Sequence, residues 1–186
     1  MNSQFEKDSQ FINGPFVSPL KTALKYGLYM GLGIIIFSLI MYTMSVPLDS
    51  KLYYVQYVIY IAAIWFGIKY HRDHDLGGYI TYGRGLGCGT LIALIGGIIG
   101  AIYSVVLFKY IDPDLVNQIF AAQEKSMLEN GQSQEQVDQA INISKKFMTP
   151  VMMGTIGVVV SLFSGFIVSL VVAFILKKEK AMFGAQ

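Results

Sequence analysis

Four long apolar runs without a charged residue dominate this sequence and restrict the folds it can adopt. The runs are Tyr26–Val46, Leu52–Ile68, Leu86–Phe108 and Val151–Leu176, with 21, 17, 23 and 26 residues. A helix needs about 20 apolar residues to cross a bilayer, and backbone polar groups in lipid must be satisfied within the helix itself. We therefore expect four transmembrane helices, the second extending to about residue 70 because Lys69 can reach the headgroups.

The overall composition supports this interpretation. Charged residues make up 14% of the chain, whereas a soluble domain carries about 25%. The mean hydropathy is +0.52. One cysteine, Cys88, excludes an internal disulfide, and a net charge of +2 gives no indication of nucleic-acid binding. We expect an all-α integral membrane protein with one domain at residues 21–178, a flexible tail at 1–20 and a short tail at 179–186.

The distribution of lysine and arginine predicts the orientation. Nine of the 14 fall on the side of the two termini and the 69–89 segment, and five fall on the other side. Cytoplasmic segments carry the excess of these residues. We therefore expect both termini and a water-exposed loop from His71 to Tyr82 in the cytoplasm.

Small residues recur at every fourth position of the third and fourth runs. Such rows let transmembrane helices approach closely. The predicted packing residues are Gly85, Gly89, Ala93, Gly97 and Ala101 in one run and Gly157, Ser161, Gly165, Ser169 and Ala173 in the other. The pattern leaves open whether the contact forms within one chain or between chains of a homo-oligomer.

The polar segment 111–149 predicts an extracytoplasmic hairpin of two amphipathic helices. Asp112 can cap the first helix, Asn130-Gly131 can end it, and Ser133 with Gln136 forms a capping-box pattern for the second. Its apolar faces can pair with each other, rest on the membrane surface or receive a partner protein, in that order of preference.

The 69–89 segment contains residue types that bind metals. His71 and His74 lie beside Asp73 and Asp75, but the chain has no other histidine to complete a site. We expect no metal site and no other cofactor.

The glycines of the same segment do not match a phosphate-binding loop, because neither the P-loop nor the dinucleotide pattern occurs. Arg72 and Arg84 lie where anionic headgroups are expected, so they are candidates for lipid headgroup contact.

Two short elements resemble the bacterial membrane family known as domain of unknown function 4199, associated mainly with Bacteroidetes. The first element comprises Tyr70, Arg72, Asp73, Gly77, Gly78, Ile80, Tyr82 and Gly83, and the second is Tyr110–Asp114. The resemblance covers roughly residues 20–178. It implies a four-span inner-membrane protein and supplies no catalytic residues.

The residues exclude some function classes and leave two hypotheses. The four runs contain no ionisable acid, base or histidine, which argues against a proton relay or an embedded hydrolase. We expect a non-enzymatic structural or accessory protein that acts through helix packing and contacts the bilayer and either further copies of itself or another membrane protein. The alternative is a small permease or oligomeric pore with a polar pocket. The candidate pocket residues are Tyr53, Gln56, Tyr57 and Tyr60.

Overall fold

Six α-helices account for most of the residues described by a computed structural model, which covers residues 17–47 and 50–179. They are α1 (Leu20–Thr43), α2 (Val55–Tyr70), α3 (Tyr82–Val106), α4 (Leu115–Glu129), α5 (Gln134–Phe147) and α6 (Pro150–Leu176). A 3₁₀ turn, Lys51–Tyr54, leads into α2. π-helical turns follow α2 at His71–Asp75 and α3 at Leu107–Ile111.

Four of these helices, α1, α2, α3 and α6, are long and apolar enough with their flanking turns to cross a membrane. The expected all-α, multi-pass architecture is confirmed, with α4 and α5 between the third and fourth spans. The predicted tails lie almost wholly outside the described residues.

The helix boundaries differ from the apolar runs. α1 begins six residues before Tyr26 because Lys21 and Lys25 are good helix formers and charge alone does not end a helix. It ends at Thr43, just before Ser45, which has a left-handed φ of 50°.

The expectation of a water-exposed loop from His71 to Tyr82 is wrong for the helical residues 71–75 and for the buried residues of the segment, whereas Asp73, His74, Gly77 and Tyr79 are exposed as expected. The helix continues through the charged residues to Asp75, and only residues 76–81 are non-helical. His71 is 1% exposed and Ile80 is 2% exposed. The physical reason is that His71 and Asp75, four residues apart, bond to each other on the inner side of the turn.

α3 occupies the centre of the bundle. Its small residues lie directly against α6, which runs antiparallel to it, with Gly85 beside Ala173 and Gly97 beside Ser161. On its other side, α3 receives α1, where Gly27 lies under Ile95. Since lipid is as apolar as these side chains, close packing rather than removal from water stabilises the contacts.

One half of the bundle is densely packed. We call this the packed half; it contains the ends of α2 and α6 and the start of α3. Backbone hydrogen bonds of 2.9 and 3.0 Å join Ile80 to Lys178 across the end of this half. The buried apolar residues here include Ala23, Ile64, Ile68, Leu76, Ile80, Cys88, Ile92, Val172 and Leu176.

The hairpin of α4 and α5 packs on itself around three buried residues, Phe120, Val137 and Ile141. Asp112 accepts hydrogen bonds from the backbone N–H of Leu115 at the start of α4. The capping box of α5 is formed, with the Gln136 backbone N–H donating to the Ser133 hydroxyl. Of the three alternatives predicted for the apolar faces of the hairpin, pairing of the two helices with each other explains why these three residues are buried.

Candidate functional site: a cleft in the side of the bundle

The half of the bundle next to the hairpin, which we call the open half, contains a cleft of about 410 Å³. The cleft lies between α2 and α6 over the surface of α3. Tyr57 on one rim and Val160 on the other are 53% and 57% exposed, so the cleft opens to the side of the bundle. The residues that line it are Ile34, Gln56, Tyr57, Tyr60, Gly96, Gly97, Gly100, Ala101, Ser104, Phe108, Met153, Gly157, Val160, Ser161 and Ser164.

Small residues create the space. A Cβ atom added at Gly100 or Gly157 would meet no other atom within 4 Å. Gly157 belongs to the predicted packing row of α6, but it faces the cleft instead of α3. Ala101, the last residue of the row in α3, lies near Gly154, one turn closer to the hairpin than Gly157.

The other predicted packing residues meet in four pairs along α3 and α6 within one chain. The pairs are Gly85 with Ala173, Gly89 with Ser169, Ala93 with Gly165, and Gly97 with Ser161.

Three of the four predicted pocket residues line the cleft. Gln56, Tyr57 and Tyr60 are part of its wall, since residues three and four apart share a helix face. Tyr53 is not; its hydroxyl donates to the carbonyl of Val46 at 3.4 Å.

The deep end of the cleft is held by a chain of hydrogen bonds across three helices. The Tyr60 hydroxyl of α2 donates to the backbone carbonyl of Ser161 in α6. The Ser161 hydroxyl donates to the carbonyl of Ala93 in α3 at 2.9 Å. Buried hydrogen bonds of this kind join helices in the membrane, so this end of the cleft is fixed in position.

Other polar groups of the lining are uncommitted. The Gln56 amide and the Tyr57 hydroxyl make no hydrogen bond to any described residue, although the Tyr57 ring stacks on Tyr54 with centroids 6.2 Å apart. The same holds for the Ser164 hydroxyl at the deep end. The hydroxyl of Ser104, in contrast, is occupied by the carbonyl of Ala101 at 2.9 Å.

The polar groups lie at different depths. A helix rises about 1.5 Å per residue, so Gln56 lies about 6 Å and Tyr60 about 12 Å along the axis from Leu52, where the apolar run begins. A bilayer core is about 30 Å thick. The uncommitted Gln56 and Tyr57 are therefore near one membrane surface, and the bonded Tyr60 lies near the middle.

A second polar cluster lies in the packed half. His71 Nδ1 lies 2.7 Å from Asp75 Oδ2, and the Thr22 hydroxyl donates to the same oxygen at 2.5 Å. Sequence reasoning missed Thr22, because it is 53 residues from Asp75 and belongs to no local pattern. Among the described residues no three His, Cys, Asp or Glu side chains are placed to hold a metal ion.

Arg72 and Arg84, the two residues predicted to contact lipid headgroups, also lie against other parts of the protein. The Arg72 guanidinium donates to Asp73, at 2.6 Å from Nε, and to the backbone carbonyl of Leu176, at 3.3 Å from Nη1. It therefore caps the end of α6, where cations are favourable. Arg84 lies partly buried in the first turn of α3.

Comparison with known proteins gives one match. Residues 25–178 match the model of a family described as a protein of unknown function, DUF4199. No curated protein and no solved structure matches the chain.

Proposed function

We propose that this chain, which belongs to the DUF4199 family, is a non-enzymatic accessory protein of a bacterial inner membrane that acts by binding another membrane component. The lining of the cleft supports binding rather than catalysis. Its described residues offer hydroxyl, amide and apolar groups but include no Asp, Glu, His, Lys, Arg or Cys. A reaction needs an acid, a base or an activated nucleophile in reach of a substrate, and a serine without a base is a weak nucleophile.

The hairpin supplies a surface for a protein partner. Ile143 and Phe147 are 59% and 60% exposed on one flank of α5. Exposed apolar side chains beside a transmembrane helix are suited to a partner that is also anchored in the membrane, because both surfaces are then held at the same height.

A photocrosslinking amino acid at Phe147, introduced in cells, tests this role. The control position is Asn142, which is also exposed and lies about 140° around the same helix at 100° per residue. We expect a protein adduct of defined mass from position 147 and none from position 142. Adducts with lipid alone at position 147, or equal protein adducts at both positions, would contradict the proposal.

A small permease or oligomeric pore is the second candidate, and the cleft is the observation that favours it. Gln56, Tyr57 and Tyr60 line the cleft as a polar path would require. The packed half argues against conduction by one chain, because Ile64, Ile68 and Ile92 are fully buried there.

Liposomes that contain the purified chain distinguish the two candidates. Under the accessory proposal, efflux of ions and neutral solutes equals that of empty liposomes. Efflux that exceeds this background and falls when Gly100→Leu fills the cleft would favour the permease and contradict the accessory role.

A further inference from the structure

We propose that the cleft binds an uncharged, chain-bearing lipid with carbonyl oxygens, which enters sideways from the leaflet next to the hairpin. This inference rests on the proposed binding function and gives its ligand class. It follows from the charge, the donors and the shape of the lining.

The absence of charge in the lining restricts the ligand. None of the described residues that line the cleft is ionised, so a charged group inside it would lose its water without gaining a counter-ion from them. Such a transfer is strongly unfavourable. The ligand group inside the cleft is therefore neutral.

The uncommitted donors define the polar part of the ligand. The Gln56 amide donates through two N–H bonds and the Tyr57 hydroxyl through one. Neither has a partner among the described residues, and neither carries a charge. A carbonyl oxygen accepts such bonds without a proton of its own, as in the ester of a neutral lipid or the ring of a quinone.

The order of polarity along the cleft matches a lipid in that leaflet. Gln56 and Tyr57 lie near the membrane surface, and the deeper lining is apolar or hydrogen-bonded except for the hydroxyl of Ser164. A lipid of the leaflet next to the hairpin has its carbonyls near the surface and its chains near the middle, so it enters the cleft without turning over.

The shape of the cleft permits entry. Its volume of about 410 Å³ falls in the range of small-molecule sites, about 300–1,000 Å³. It opens between Tyr57 and Val160 on the outer surface of the bundle, so a lipid reaches it without passing through water.

Photolabelling in lipid nanodiscs tests the inference with the full-length chain. Three probes carry the same diazirine-bearing chain: a diacylglycerol, a quinone, and a phosphatidylglycerol as the charged control. We expect a neutral probe to label peptides of α2, α3 and α6 that line the cleft. Labelling by the diacylglycerol or by the quinone identifies which source of carbonyl is bound.

Variants separate the cleft from the general lipid surface. Gly100→Leu fills the cleft, and we expect labelling about tenfold weaker. Gly87→Leu is the control, because Gly87 is on the same helix, outside the lining, and also has no atom within 4 Å of an added Cβ. Tyr57→Phe keeps the ring and removes one donor, so the affinity for a neutral probe should fall about three- to tenfold. This variant leaves the cleft unfilled, so it tests the inference even if Gly100→Leu disturbs folding.

Three outcomes would overturn the inference. They are equal labelling of the lining by the charged probe, equal labelling of the Gly100→Leu and Gly87→Leu variants, and no labelling of the lining by either neutral probe. The crosslink from Phe147 is a separate readout. If it persists while lipid labelling fails, the ligand class is wrong and the accessory function stands.

Discussion

The glycines of the bundle differ in the atoms that a Cβ added to each of them would meet. Gly165 faces Ala93 and Tyr60 across the α3–α6 contact, whereas Gly87 faces open space on the outside of α3. Glycine is required at the first position by close approach of two helices. At the second position it only weakens the helix.

Gly165→Ala is expected to destabilise the protein by about 1–3 kcal/mol, the usual cost of overpacking. The new methyl group would collide with the Ala93 methyl and lie 2.6 Å from the Tyr60 hydroxyl. Unfolding of the purified chain in SDS, followed by circular dichroism, measures the change. Gly87→Ala is the control and should stabilise the helix by up to about 1 kcal/mol; the same loss in both variants would refute the packing argument.

Two serines of α6 should respond oppositely to removal of their hydroxyls. Ser161 donates to the Ala93 carbonyl, while the Ser169 hydroxyl is fully buried without a hydrogen-bond partner among the described residues. Ser161→Ala should cost about 0.6 kcal/mol, the average for such bonds in membranes. Ser169→Ala should be neutral or stabilising because it removes an unsatisfied polar atom. The SDS assay compares them, and a larger loss from Ser169→Ala would show that its hydroxyl has a partner.

Residue spacing predicts which side chains share a helix face, but it does not predict which groups of the neighbouring helices they contact. Gly157 and Gly165 belong to the same row, yet one lines a cleft and the other a helix contact. The difference depends on where α6 diverges from α3, which no local pattern encodes. Contacts between residues that are far apart in the sequence, such as Thr22 with Asp75, cannot be predicted from local patterns for the same reason.

At the scale of elements, hydropathy predicts the existence of a helix more reliably than it predicts the residue at which the helix ends. The helical backbone continues beyond α2 through the π-helical turn to Asp75, where His71 and Asp75 bond to each other, so the change in polarity at Lys69 does not end it. The hairpin has the opposite character. The start of α5 follows its capping signal, and Ser133 and Gln136 are paired as their spacing indicates.

Ser133→Ala should loosen the hairpin and leave the spans unchanged. Loss of a capping serine costs about 1 kcal/mol, so amides in the first turn of α5 should exchange about fivefold faster if they exchange by local opening. Hydrogen–deuterium exchange in nanodiscs measures this. Ser126→Ala in α4 is the control, because the Ser126 hydroxyl makes no hydrogen bond to a described residue and its backbone carbonyl, which accepts from the Asn130 side chain, is kept. Faster exchange in α3 would show that the hairpin supports the bundle.

At the scale of the whole molecule, the two halves of the bundle suit different roles. The packed half joins the ends of α2 and α6 through Arg72, Ile80 and Lys178. The open half contains the cleft and the hairpin. If the cleft binds a ligand as proposed, the packed half provides the rigid support that precise binding requires. The positive-inside rule predicts that the packed half faces the cytoplasm.

Cysteine labelling in spheroplasts tests that orientation, because the native chain provides its own background. Cys88 is fully buried, so the unmodified protein should not react with a membrane-impermeant maleimide. Asn142→Cys, on the hairpin, should be labelled in intact spheroplasts. Glu179→Cys, after α6, should be labelled only once the membrane is permeabilised, because lysine and arginine are concentrated on its side. The reverse pattern would invert the topology, and the lipid of the cleft would then belong to the cytoplasmic leaflet.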